Sequence, residues 1–191
     1  MYNKKFNPMM LLVLISLLFT QQSLAKSASE IDTEVDAAIQ KFKKEVKGGA
    51  EFLPKVKAYL VFPSVIKAGF IIGGEYGEGA LRINGKTKHY YSMTSASIGY
   101  QAGAQKNSVL IAFISEASLN NFIKSNGWEA GVDGSIAVSD WGESKDITSI
   151  SYEKPIIAFV YGETGLMASV IIEGTKFQKN HTLIKSRQYN I

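Results

Sequence analysis

KAGFIIGGEYGEGAL, residues 67–81, sets the architecture to expect of the whole chain. Glycines stand at Gly69, Gly73, Gly74, Gly77 and Gly79 around an apolar run, Phe70-Ile71-Ile72. Glycine weakens a strand interior, so several together mark a bulge, a tight bend or the close approach of another backbone. Similar wording returns in SIGYQAGAQ (97–105, around Gly103), GWEAGVDGSIAV (127–138) and FVYGETGLMASVIIEG (159–174). The implied structure is a small-residue surface made from several strands, on which neighbouring elements pack closely. These glycines read as structural, and none brings a reactive group.

Moving outward toward the C-terminus, the glycine stretch predicts strands over 68–74 and 79–83. Asn84-Gly85 is a strong hairpin signal, and 86–92 reads as the returning strand. Residues 95–105 alternate small and larger side chains, and 108–115 (SVLIAFIS) is continuously apolar; both predict strands. Residues 116–125 read as a helix with Leu119, Phe122 and Ile123 inward, stopped by Gly127. Residues 128–139 read as a further strand and 140–151 as an exposed connection. A last hairpin is expected from 155–161 and 166–173 around Gly162 to Gly165. The tail from Lys176 carries no pattern that assigns it.

Toward the N-terminus, Ala58 to Phe62 predicts a buried strand ended by Pro63. A short helix over 50–57 would carry Pro54 in its first turn, where the missing N–H is tolerated. Before it, Ile31, Val35, Ile39, Phe42 and Val46 trace one face of a helix from Ser27 to Lys47. Acidic residues crowd its first turns, and Lys41, Lys43, Lys44 and Lys47 crowd its last, an order that suits the helix dipole. Those lysines have two readings. One is a solvated helix end whose apolar face packs on the domain. The other is an amphipathic segment that meets anionic lipid, with Phe42 and Val46 beneath the charges.

Lys4 and Lys5, an apolar core from Met9 to Phe19 and the small residues of Ser23-Leu24-Ala25 read as a signal peptide, residues 1–25, cleaved after Ala25. The apolar core is too short to span a bilayer, which takes about 20 residues. Export to the periplasm, the outer envelope or the medium follows, leaving residues 26–191 as one domain. Cleavage removes two lysines and no acid, so the formal charge of +4 falls to +2. So small a charge gives no support to nucleic-acid binding. With no cysteine, the chain has neither disulfides nor thiolate chemistry.

The chain carries few candidate reactive groups. His89 and His181 lie far apart with no ligand-like spacing, so no metal site is expected. Neither a Gly-x-Ser-x-Gly elbow nor a phosphate-binding glycine loop occurs. Glu75, Glu78, Asp133, Glu163 and Glu173 adjoin glycines and read as turn and solvent-face residues rather than acid–base pairs. Gln101 and Gln105 share a strand face on either side of Gly103; they either bond to backbone across a bulge, the reading that suits them best, or line a concavity.

Taken together, AYLVFPSVIKAGFIIGGEYGEGAL (58–81), SIGYQAGAQ, SVLIAFIS-EASLNNF, GVDGSIAV and GLMASVIIEG resemble, in order and spacing, the SYLF domain, also called the Ysc84 actin-binding domain. The resemblance covers about residues 35–177. It implies a lipid-binding module without enzyme activity or cofactor. Eukaryotic members bind phosphoinositides through an N-terminal amphipathic segment, fungal ones also bind actin, and exported bacterial ones are described as lipid-binding. By position, Lys41, Phe42, Lys43, Lys44 and Lys47 become candidate lipid contacts. The expectation is therefore an exported phospholipid-binding domain docking on anionic membrane, with a protein-interaction or envelope-structural module, actin included, as the alternative. The expected fold is α+β: a bent, largely antiparallel, glycine-rich sheet or barrel-like sandwich with two or three packed helices, one of them amphipathic and N-terminal.

Overall fold

Alternation of side chains along the strands, interrupted where glycine and proline force it, builds the sheet. The computed structural model describes residues 26–69, 72–98, 105–138, 147, 153–162, 173–181 and 183. The signal peptide, Gln101, Gly103 and the 166–172 segment lie outside the described residues.

β1 (Ala58–Gly69) and β2 (Ile72–Ile83) form a long antiparallel pair whose register runs from Tyr59↔Arg82 to Gly69↔Gly73. The glycine stretch thus falls on both strands: Lys67 to Gly69 end β1, and Ile72 to Leu81 lie in β2, which runs unbroken through 75–78. Pro63 does not end β1 either. Two residues of β1 (Phe62 and Pro63) face one of β2 (Gly79), and the same slip occurs against β4 (Gln105–Phe113) between Phe62 and Val65. This bulge lets a residue with no N–H stay inside a central strand. The Ser108 hydroxyl donates to the Pro63 carbonyl at 2.9 Å and holds the bulge in place.

Asn84 (φ 50°) and Gly85 (φ 74°) make the two-residue turn into β3 (Lys86–Ile98), the left-handed pair such hairpins require. β4 (Gln105–Phe113), α3 (Glu116–Lys124), β5 (Gly127–Glu129), β6 (Ala137–Val138), β7 (Ile156–Gly162) and β8 (Lys176–Lys179) follow. Residues 128–138 are not one strand: Gly131, at φ 88°, turns the chain between β5 and β6. The unassigned tail supplies β8, which pairs with both β3 and β5. The sheet order is β5-β8-β3-β2-β1-β4-β7-β6, antiparallel except for β6 on β7, and it curls into a half-barrel. The α+β expectation stands.

The two faces of the sheet are covered differently. On one, α3 with Trp128 and Phe177 closes over Leu60, Phe62, Val109, Ile111 and Phe113. Phe122 sits among four aromatic rings there, 4.9 Å from Tyr91, 5.0 Å from Phe113, 5.5 Å from Trp128 and 5.9 Å from Phe177. On the other lie α1 (Ala28–Glu45), α2 (Gly49–Phe52) and a single 3-10 turn, Leu53–Lys55. They cover Val61, Ala80, Leu110, Ala112, Ile157 and Phe159.

Candidate functional site: the lysine-bearing helix and its groove

α1 begins as its sequence dictates. The Ser27 hydroxyl accepts from the Glu30 N–H at 3.2 Å, while the Glu30 carboxylate accepts from the Ser27 N–H at 2.7 Å, a reciprocal cap. That backbone bond, helped by the Ser27 hydroxyl, lowers the Glu30 pKa. The predicted apolar face is the buried one: Ile31, Val35, Ile39, Phe42 and Val46, with Ala38 among them.

The acids of the first turns do more than offset a dipole. Arg82 Nη2 reaches Asp36 Oδ1 at 2.7 Å and Asp32 Oδ1 at 3.4 Å. Thr87 and Tyr90 donate to the two Asp32 oxygens at 2.6 and 2.9 Å. Farther along, the Tyr161 hydroxyl donates to the Ala38 carbonyl at 3.0 Å, and burial pushes that phenol's pKa well above its ordinary value. α1 is thus clamped to the sheet by polar bonds as well as by its apolar face. An arginine in the apolar strand β2 is the one signal in the sequence that could have revealed the clamp.

The candidate lipid residues separate into two kinds. Phe42 is fully buried, edge-on to Phe159 at 5.3 Å and to Tyr161 at 5.5 Å. It belongs to the core, and the reading that set it beneath the charges against lipid is corrected: a folded α1 has no apolar face to spare. Lys43, Lys44 and Lys47 are exposed, while Lys41 is partly covered and lies 3.9 Å from Glu45. The Lys47 carbonyl accepts from the Ile147 N–H at 3.0 Å.

Beside Lys41 the helix and sheet leave a groove of about 310 Å³. Glu34, Ala37, Ala38 and Lys41 form its helical wall. Pro63 and Ser64 at the bulge, with Lys106 and Ser108 on β4, form the other. Glu34 is already paired with Lys26, whereas Lys106 has no ion-pair partner among the described residues. The groove is therefore weakly cationic. Lys106, Ser64 and the position of the bulge at Pro63 were not singled out in the sequence.

The structural glycines have unequal roles. A Cβ on Gly79 would lie 2.1 Å from the Val61 carbonyl oxygen, and one on Gly77 would lie 3.0 Å from Val65 Cγ2. At Gly74 the nearest atom would be 3.6 Å away, ordinary contact. Glu75 is not a turn residue. It is buried in β2 and paired with Lys67 at 3.2 Å, its register partner, leaving Oε2 without a hydrogen bond. Asp133 does sit in a turn, accepting from the Glu129 N–H at 2.7 Å. His89 packs against Tyr91, and burial first, then nearby Lys179, His181 and Lys88, lowers its pKa. Among the described residues no three metal-ligating side chains gather.

Residues 94–187 match the family model for Ysc84, described as Las17-binding protein actin regulator. The match begins in β3 and runs through β8, so α1, β1 and β2 precede it. No curated protein matches the chain.

Proposed function

With residues 94–187 belonging to the Ysc84 family, a family of actin- and lipid-binding-type domains, we propose that this chain is an exported phospholipid-binding protein that docks on anionic membrane through the lysines of α1. The observation that carries the reading is the state of that helix. Its whole apolar face is committed to the core, while Lys43 and Lys44 stand in solvent with Lys41 and Lys106 on the flanking groove. Cations near an anionic bilayer each contribute about 1 kcal/mol, within about a Debye length of it. Docking by charge with little insertion is reversible and salt-sensitive. Export rests on residues 1–25. Glu34, the acid of the groove, is already paired with Lys26, which leaves the groove's lysines to meet an anion.

Co-sedimentation tests this directly. The mature chain should pellet with vesicles of phosphatidylcholine doped with phosphatidylglycerol and stay in solution with phosphatidylcholine alone. Reversing Lys41, Lys43, Lys44 and Lys47 to glutamate should abolish pelleting while the circular dichroism spectrum is kept. Equal pelleting with both vesicle types sinks the reading. A protein-interaction role is favoured by one observation: the family match lies wholly outside α1. It predicts co-sedimentation with actin filaments that survives the four lysine reversals.

A further inference from the structure

A helix that spends its apolar face on the core leaves membrane docking without a hydrophobic contact, and the sheet supplies one. Ile66 and Tyr76 are large apolar side chains that stand half exposed on the sheet, each at 49%. They are register partners on β1 and β2, and Lys106 is the partner of Ile66 on its other side. Directly paired residues in an antiparallel sheet point to the same face. Tyr76, Ile66 and Lys106 therefore form one row across three strands, ending at the groove that Lys106 shares with Lys41 and Ser64. The Tyr76 hydroxyl donates to Glu78 at 3.1 Å, so the ring is held while its face stays open.

We infer that this groove seats the phosphate of an anionic phospholipid, with Ile66 and Tyr76 entering the interfacial layer beside it. The inference rests on the docking reading above and gives it a place. Lys41 and Lys106 bring charge from opposite walls, and Ser64 lines the same groove with its hydroxyl in no hydrogen bond among the described residues. Glu34, the acid of the wall, is occupied by Lys26. A volume of about 310 Å³ is at the lower end for a small-ligand site, enough for a phosphodiester with its glycerol. An aromatic ring with a polar tip suits the headgroup level of a bilayer, and an aliphatic neighbour suits the layer just beneath.

The test is a set of vesicle titrations on the mature chain, using phosphatidylcholine with and without phosphatidylglycerol. Lys106→Gln should weaken binding to the doped vesicles about fivefold, the share of one lysine at an anionic surface. Lys124→Gln, on α3 across the sheet, should change it less than twofold on the same scale. The double variant Ile66→Ser/Tyr76→Ser should lose binding with its melting temperature kept, because both side chains are half exposed. Glycerophosphoglycerol, the same headgroup without acyl chains, should shift the amide resonances of Ser64 and Lys106 but bind far more weakly than vesicles. Equal losses for Lys106→Gln and Lys124→Gln mean diffuse attraction and overturn the site, as does full binding by the Ile66/Tyr76 variant. If wild type ignores phosphatidylglycerol altogether, the docking reading falls first, a result distinct from both.

Discussion

Gly79 is the most tightly enclosed of the described glycines, because the bulge at Pro63 pushes the Val61 carbonyl toward it. Backbone on the far side cannot move aside as a side-chain tip can. Gly79→Ala should therefore cost about 3 kcal/mol, the upper range for overpacking a filled site. Gly74→Ala, with its nearest contact at 3.6 Å, should cost well under half as much. Chemical denaturation of the two variants checks the order, and a Gly79→Ala protein as stable as wild type refutes the close approach. The residue types announced a bulge, but its position needed the partner strand, since Gly79 is constrained by a residue on β1. Glu75 shows the same limit. Beside Gly74 it reads as a turn, and only the β1–β2 register brings Lys67 opposite to make it a buried ion pair.

Local pattern served best for the elements. The spacing of Ile31 to Val46 gave α1 and its buried face, Asn84-Gly85 gave the hairpin, and the apolar run before Ser115 gave β4. Pro63 misled because a proline's preference to end a strand was outweighed by pairing on both sides of the bulge. Phe42 misled because an amphipathic helix has the same sequence whether its apolar stripe meets lipid or a sheet. The structure separates the two roles on one helix, and so should mutation. Phe42→Ala should lose about 4 kcal/mol of stability, so any loss of lipid binding in that variant reports unfolding. Lys43→Ala with Lys44→Ala should leave the melting temperature within a few degrees while weakening vesicle binding. Thermal melts of both variants decide it, and a Phe42→Ala protein as stable as wild type would sink the assignment of Phe42 to the core.

Strand order belongs to the whole molecule and was beyond reach in the sequence. β8, from a tail with no readable pattern, fills the place between β3 and β5, a pairing of segments roughly eighty residues apart in β3's case. The candidate site shares that origin. Its walls come from α1, β1 and β4, and Ile66, Tyr76 and Lys106 meet only because three strands align. The lysines of α1 could be picked out from composition; their companions could not.

β4 gives alternate side chains to the two layers. Val109, Ile111 and Phe113 go beneath α3, while Leu110 and Ala112 go beneath α1. Neither layer can open without stripping half of that strand, so the two should come apart as a single cooperative unit. Deuterium uptake measured segment by segment should find β4 the last to exchange, with α1 and α3 losing protection at one common opening free energy. Peeling of α1 long before α3 would show instead that the sheet tolerates losing a cover, and that the leading helix is free to trade its seat on the protein for one elsewhere.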